Sequence, residues 1–160
     1  FKKSYKNEGI KYFRIPEKSH NYNFKKKQII FGKSILVEKG NDITICVTGH
    51  HLDTVIKANK ILKNKKINCE IIYFHTLKPF DSSKILKSLK KTKKLITVEE
   101  LSAHDGLYNQ CIKSTLGINN LKSKQIAVQD FIHDYGSIDE LNEKTGLNTQ
   151  NIVKQVLNLV

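Results

Sequence analysis

Apolar and polar residues change their spacing several times along this chain, and each change marks an element. Ile43 to Val47 is a short run of β-branched and apolar residues, closed by Thr48-Gly49-His50-His51. Leu52, Val55, Ile56 and Leu62 then recur at helical spacing, which predicts a helix to about Leu62. Asn68 to Phe74 predicts the next strand, and His75 to Phe80 a loop. Asp81 stands where it can cap a helix whose apolar face is Ile85, Leu86 and Leu89. Leu95-Ile96-Thr97-Val98 predicts a buried strand with Glu99 and Glu100 at its C-terminal end. After a short polar loop, Asp105-Gly106 opens a helix carrying Leu107, Cys111, Ile112, Thr115 and Leu116. Gln125 to Val128 gives another short strand, and Asp130 to Gly136 a loop. Ser137 and Glu140 have the spacing of a capping box, for a short helix ending before Gly146. Asn148 starts a final helix with Ile152, Val153, Val156, Leu157 and Val160 apolar.

The first part of the chain is less regular. Lys11 to Ile15 predicts one short strand, stopped by Pro16. Glu17 to Lys27 is polar and reads as a linker lying on a surface. Ser34 to Glu38, bounded by Gly32 and Gly40, predicts a strand, and the tight turn at Gly40-Asn41-Asp42 predicts that it pairs antiparallel with Ile43 to Val47. Strands alternating with helices of about ten residues imply βαβ units. The expected fold is therefore α/β: a three-layer sandwich with a five-stranded, mostly parallel sheet, one antiparallel strand, and helices on both faces. In open sheets of this kind, sites gather beyond the carboxyl ends of the strands. Glu99 and Glu100 are thus either functional or solvated loop charges, and spacing alone leaves both readings open.

Composition narrows the picture. A chain of 160 residues fits one domain with an extra arm. No run of about eighteen apolar residues occurs, so no membrane span is expected. The chain contains no methionine, even at its start, and is expected to be a segment of a longer protein. Its net charge of +13 is almost all lysine, with Arg14 the only arginine. Those lysines are spread along the chain, and bidentate contacts to guanine favour arginine, so no nucleic-acid partner is expected. Cys46, Cys69 and Cys111 are isolated at apolar positions and read as small buried hydrophobes, which fits a reducing, cytoplasmic compartment. No histidine or cysteine pair has metal-ligand spacing, so no metal site is expected. His50-His51 sit at a helix start, where backbone amides favour anions, or form a surface pair. Neither G-x-G-x-x-G nor a P-loop pattern occurs.

Val98-Glu99-Glu100-Leu101-Ser102-Ala103-His104-Asp105-Gly106-Leu107-Tyr108 resembles the V-E-E to G-G-L-G run of the C-terminal domain of the transketolase family of thiamine-diphosphate enzymes. Gly106 matches the second glycine; Asp105 and Tyr108 replace the first and last. The resemblance extends from Phe31 to Leu159. Glu38 to Asp42 resembles the family's opening hairpin, Thr76-Leu77-Lys78-Pro79-Phe80-Asp81 its T-L-K-P-hydrophobic-D, and Asp130 through Leu147 its D-x-F…G…E-L…G-L tail. Lys11 to Pro16 is similar to the last strand of the preceding pyrimidine-binding domain.

What this resemblance implies is an architecture and a division of labour. Residues 1–16 would end the pyrimidine-binding domain, 17–30 would be a linker, and 31–160 the C-terminal α/β domain. The parent enzyme would transfer two-carbon ketol units between sugar phosphates using thiamine diphosphate and Mg²⁺. A deoxyxylulose-phosphate synthase, a 2-oxo acid dehydrogenase beta subunit and a free-standing regulatory domain of the same fold are the alternatives. No catalytic residue and no cofactor-binding residue is expected in this segment, because the G-D-G metal motif is absent. Arg14 would bind substrate phosphate, or else merely solvate the linker. Glu99, Glu100, Asp105 and Gly106 would contact the preceding pyrimidine-binding and diphosphate-binding domains or subunit, in a homodimer or heterotetramer.

Overall fold

The computed structural model of the chain describes residues 5–6, 8–15 and 18–160, with Leu101 and Ser102 described in backbone alone. Five strands form one sheet: β1 (Ile35–Glu38), β2 (Ile43–Val47), β3 (Cys69–Tyr73), β4 (Lys94–Ser102) and β5 (Lys122–Val128). Their spatial order is β1-β3-β2-β4-β5, with β1 antiparallel at one edge and the other four parallel. The helices are α1 (His51–Asn64), α2 (Ser82–Thr92), α3 (Leu107–Ser114), α4 (Ile138–Thr145) and α5 (Thr149–Leu159). The expected three-layer α/β sandwich is what the chain forms.

Alternation along each strand sorts residues between the two helical layers. Ile43, Ile45 and Val47 of β2 and Ile96 and Val98 of β4 pack with Leu52, Val55 and Leu62 of α1 and Ile152 and Val156 of α5. Cys46 and Leu95 face the other way, onto Ile85 and Leu89 of α2 and Leu107 and Cys111 of α3. Thr44 also faces α2, and its hydroxyl meets Ser88 Oγ at 2.6 Å and Thr92 Oγ1 at 2.7 Å. That arrangement pairs buried hydroxyls instead of leaving them orphaned. All three cysteines are buried and free, as expected. Among the described residues no helix is long and apolar enough to cross a membrane.

Several local expectations are corrected. The tight turn does not pair β1 with β2. Instead β1 lies on the far side of β3, with Ile35 opposite Tyr73 and Leu36 opposite Ile72. The turn is fastened to the start of β3: Asn41 and Asp42 both donate their N–H to the Asn68 carbonyl at 3.1 Å. Gly40 approaches so closely that a Cβ there would sit 2.3 Å from that same oxygen. A glycine is needed for this contact, and the contact puts β3 between the two strands. Lys11 to Ile15 joins no strand of the sheet, and Pro16 lies outside the described residues. Leu116 is 81% exposed, because α3 stops at Ser114 before reaching it.

Asp81 precedes α2 but does not cap it. Its carboxylate accepts the backbone N–H and the hydroxyl of Ser34, both at 2.9 Å, and the hydroxyl of Ser83 at 3.0 Å. It therefore ties the entry of β1 to the start of α2. Ser137 and Glu140 do form the expected capping box at α4.

The polar arm after Lys18 lies on the surface but is pinned there. Asn21 donates its backbone N–H and its side-chain amide to the Asp53 carboxylate. Phe24 stacks on Tyr73 with ring centroids 5.2 Å apart, and His20 meets both rings edge-on. Lys18 pairs with Asp139 at 2.8 Å.

Candidate functional site

The strand order reverses between β2 and β4: from β2 the chain continues to β3 on one side, then crosses back to β4 on the other. Such a reversal opens a crevice at the strands' carboxyl ends, where open α/β sheets gather ligands. The end of β2 is joined to β4 there by a hydrogen bond from Thr48 N–H to the Val98 carbonyl, 3.2 Å. His50 and His51 leave β2 at this point, and Glu99 and Glu100 arrive on β4.

Glu99 and Glu100 are not in a loop. The strand continues through both to Ser102, with an irregularity in pairing after Val98. Alternation then sends the neighbours to opposite faces. Glu99 turns toward α3 and is fully buried. It accepts the backbone N–H groups of Leu107 and Tyr108 and, at 3.2 Å, the side-chain amide of Gln125. Two of the unsatisfied N–H groups at the start of α3 are thus capped by a residue eight positions away rather than by Asp105 or Gly106. Burial raises the Glu99 pKa and outweighs the lowering by these hydrogen bonds. Asp105 is exposed, and Gly106 is buried at the helix start.

Glu100 turns to the opposite face and is half-exposed. Its Oε2 lies 3.3 Å from the Arg14 guanidinium and 3.8 Å from His50 Nδ1. The sheet and the N-terminal arm together bring Arg14, Glu100, His50 and His51 close to one another, and Glu99 is kept apart. Beside Glu100 opens a cavity of about 600 Å³, lined mainly by apolar groups including Phe131, Ile132, Leu141 and Leu147, with His104 among them.

His50 and His51 are not a surface pair. They are 6% and 0% exposed, and their rings lie 4.0 Å apart. The pinned arm runs close by: Asn21 is anchored to Asp53 within the first turn of α1, and Arg14 and Lys18 lie close enough to act on both rings. Burial, with smaller contributions from His50, Lys18 and Arg14, pushes His51 down to about 3. Burial also lowers His50, against the attraction of Glu100. No ring nitrogen of either residue has a hydrogen-bond partner among the described residues. Sequence spacing missed this pair because two adjacent histidines do not match a helical ligand motif. The available signal was their position, three residues after a mostly apolar strand that is buried throughout.

The family model for the transketolase C-terminal domain matches residues 32–152. Among curated proteins, the 6-deoxy-6-sulfo-D-fructose transketolase subunit SqwH of Clostridium sp. (strain MSTE9) is 33% identical over 128 residues, covering 79% of this chain and 39% of that protein. The 1-deoxy-D-xylulose-5-phosphate synthase of Cytophaga hutchinsonii is 28% identical over 159 residues, covering 96% of this chain and 25% of that one. A solved structure described as a split gene transketolase, inactive beta4 tetramer, superposes with a TM-score of 0.74 at 24% identity, over 82% of this chain and 42% of that chain. The chain thus spans well under two thirds of the length of these relatives.

Proposed function

The chain belongs to the transketolase C-terminal domain family, and from that premise we propose that it serves an enzyme that moves two-carbon ketol units between sugar phosphates with thiamine diphosphate. Its own part is to hold neighbouring domains and to present Arg14; the bond-making chemistry belongs elsewhere in the enzyme. In this reading residues 1–16 end a pyrimidine-binding domain, 17–30 link, and 31–160 form the C-terminal domain. The enzyme works in the cytoplasm, where three buried free thiols persist, as a homodimer or heterotetramer. Of the expected contact residues, Glu100 and Asp105 face the neighbouring domains, while Gly106 is buried at the start of α3. Glu99 is removed from that set, since its oxygens are occupied by its own chain.

The observation that carries the reading is the ion pair between Arg14 of the N-terminal arm and Glu100 near the carboxyl end of β4. Both side chains are about two-fifths exposed, so the pair is worth only about 0–1 kcal/mol to the fold. Stability alone is a weak reason for the contact. A guanidinium, by contrast, presents a planar fork that matches two phosphate oxygens at once.

Thiamine diphosphate does not fit the residues of this segment. Mg²⁺ with a diphosphate calls for hard oxygen ligands and a ring of N–H or cationic donors. The large cavity beside Glu100 is lined mainly by apolar side chains instead. No step through the cofactor is assigned to these residues.

A turnover assay on the complete protein tests the proposal. With thiamine diphosphate and Mg²⁺, a ketose phosphate and an aldose phosphate should exchange a two-carbon unit. Synthesis of deoxyxylulose phosphate from pyruvate, or oxidative decarboxylation of a 2-oxo acid, would replace the reading by one of its relatives. Absence of all three would favour a regulatory domain.

A further inference from the structure

The four ring nitrogens of His50 and His51 are buried, and none has a hydrogen-bond partner among the described residues. An unsatisfied buried polar group costs about 1–3 kcal/mol, so two whole imidazoles left this way call for a ligand. One nitrogen of a neutral imidazole carries a free lone pair. Among the described residues one carboxylate, Glu100, joins the two rings in such a group: one donor atom from each of His50, His51 and Glu100 lies within 4.8 Å of the other two.

We propose that His50, His51 and Glu100 form a three-donor site for a divalent transition metal ion of the zinc class. Two imidazoles and one carboxylate suit zinc and its neighbours, whereas Mg²⁺ and Ca²⁺ take oxygen ligands. A tetrahedral ion with bonds of about 2 Å sets its donors roughly 3.4 Å apart. His50 Nδ1 and Glu100 Oε2 are already at 3.8 Å. The other two separations are at most 4.8 Å, and Glu100 is the long, half-exposed member of the three. Three protein donors leave the fourth position open to water or a substrate oxygen.

Arg14 competes for the same carboxylate, since its guanidinium lies 3.3 Å from Glu100 Oε2. Metal binding would therefore release Arg14 from Glu100. The proposal rests on this geometry and stands whether or not the ketol-transfer reading does.

The experiment is a titration of the metal-stripped complete protein with Zn²⁺ by calorimetry, and with Co²⁺ followed by visible absorption. One ion per chain and the intense d–d bands of four-coordinate Co²⁺ are expected. His50→Gln and Glu100→Gln should each weaken binding by about tenfold or more, a loss of the size seen for residues that hold metal ligands. His51→Ala should do the same; if it fails to fold, Glu100→Gln, at a half-exposed position, decides the matter. Arg14→Ala should leave the affinity unchanged or tighten it, because a competing cation is gone. His133→Gln, on an exposed loop, should have no effect. Failure to bind either ion overturns the proposal. So does binding that His50→Gln and Glu100→Gln leave unchanged, or binding that Arg14→Ala weakens, which would mark an anion site.

Discussion

The Glu99 carboxylate accepts the backbone N–H of Tyr108 at 2.9 Å, and so the strand before the loop caps the helix after it. Leu107 donates to the same carboxylate, and Gln125 of β5 adds its amide. Glu99→Ala would strand these donors in the interior. The expected loss is about 2–4 kcal/mol of folding stability, from a lost cap and buried unsatisfied N–H groups. Glu100→Ala, one residue on but facing the other way, should cost at most about 1 kcal/mol. Chemical unfolding of both variants checks this; equal losses would mean that the two glutamates are not divided between the faces.

Asp81 gives a pH test. Burial pushes its carboxyl up, but the hydrogen bonds from Ser34 and Ser83 and the nearby Lys33 ammonium outweigh it, so the net shift is downward. A carboxyl that titrates lower when folded stabilises the fold above its unfolded value, about 3.9, and loses that contribution as pH falls through the folded value. Asp81→Asn should therefore destabilise the chain at pH 7, by about 1–3 kcal/mol given hydrogen bonds to a charged group. The gap from wild type should narrow steadily below pH 4. Unfolding midpoints measured from pH 7 to pH 3 provide the check; a constant gap would show that the charge of Asp81 is irrelevant.

The strand–helix alternation, the sheet, the capping box at Ser137 and the buried cysteines were legible in the sequence, because each depends on local periodicity or on one short motif. What was hidden depends on pairing across the sheet. Nothing in Gly40-Asn41-Asp42 says that its N–H groups will be taken by Asn68, so a tight turn looked like a hairpin. Asp81 looked like a cap because its true donor, Ser34, is distant in sequence. For Glu99-Glu100 spacing left both a functional and a solvated-loop reading open, because neither residue's partner is near in sequence; each carboxylate has a partner on its own face. The burial of His50 and His51 was hidden for a related reason. An arm distant from them in sequence, held by Asn21 on Asp53, brings Lys18 and Arg14 close to both rings.

The segment on its own should not bind thiamine diphosphate. Calorimetry of residues 1–160 with thiamine diphosphate and Mg²⁺ should show no heat beyond dilution at micromolar concentrations. Saturable micromolar binding would contradict the division of labour proposed for this domain.

In the proposed function Arg14 reads a substrate phosphate. A hydrogen bond to a charged group is worth roughly 1.5–3 kcal/mol. Arg14→Ala in the complete enzyme should therefore lower kcat/KM for phosphorylated substrates by about tenfold or more. Substrates without phosphate never make the contact and should be nearly unaffected. Loss of the exposed pair with Glu100 is too small to unfold the protein, so both rates remain measurable. The measurement is the ratio of the two losses: a ratio of about ten or more is predicted on the same constants, and equal losses on both substrate types would contradict it.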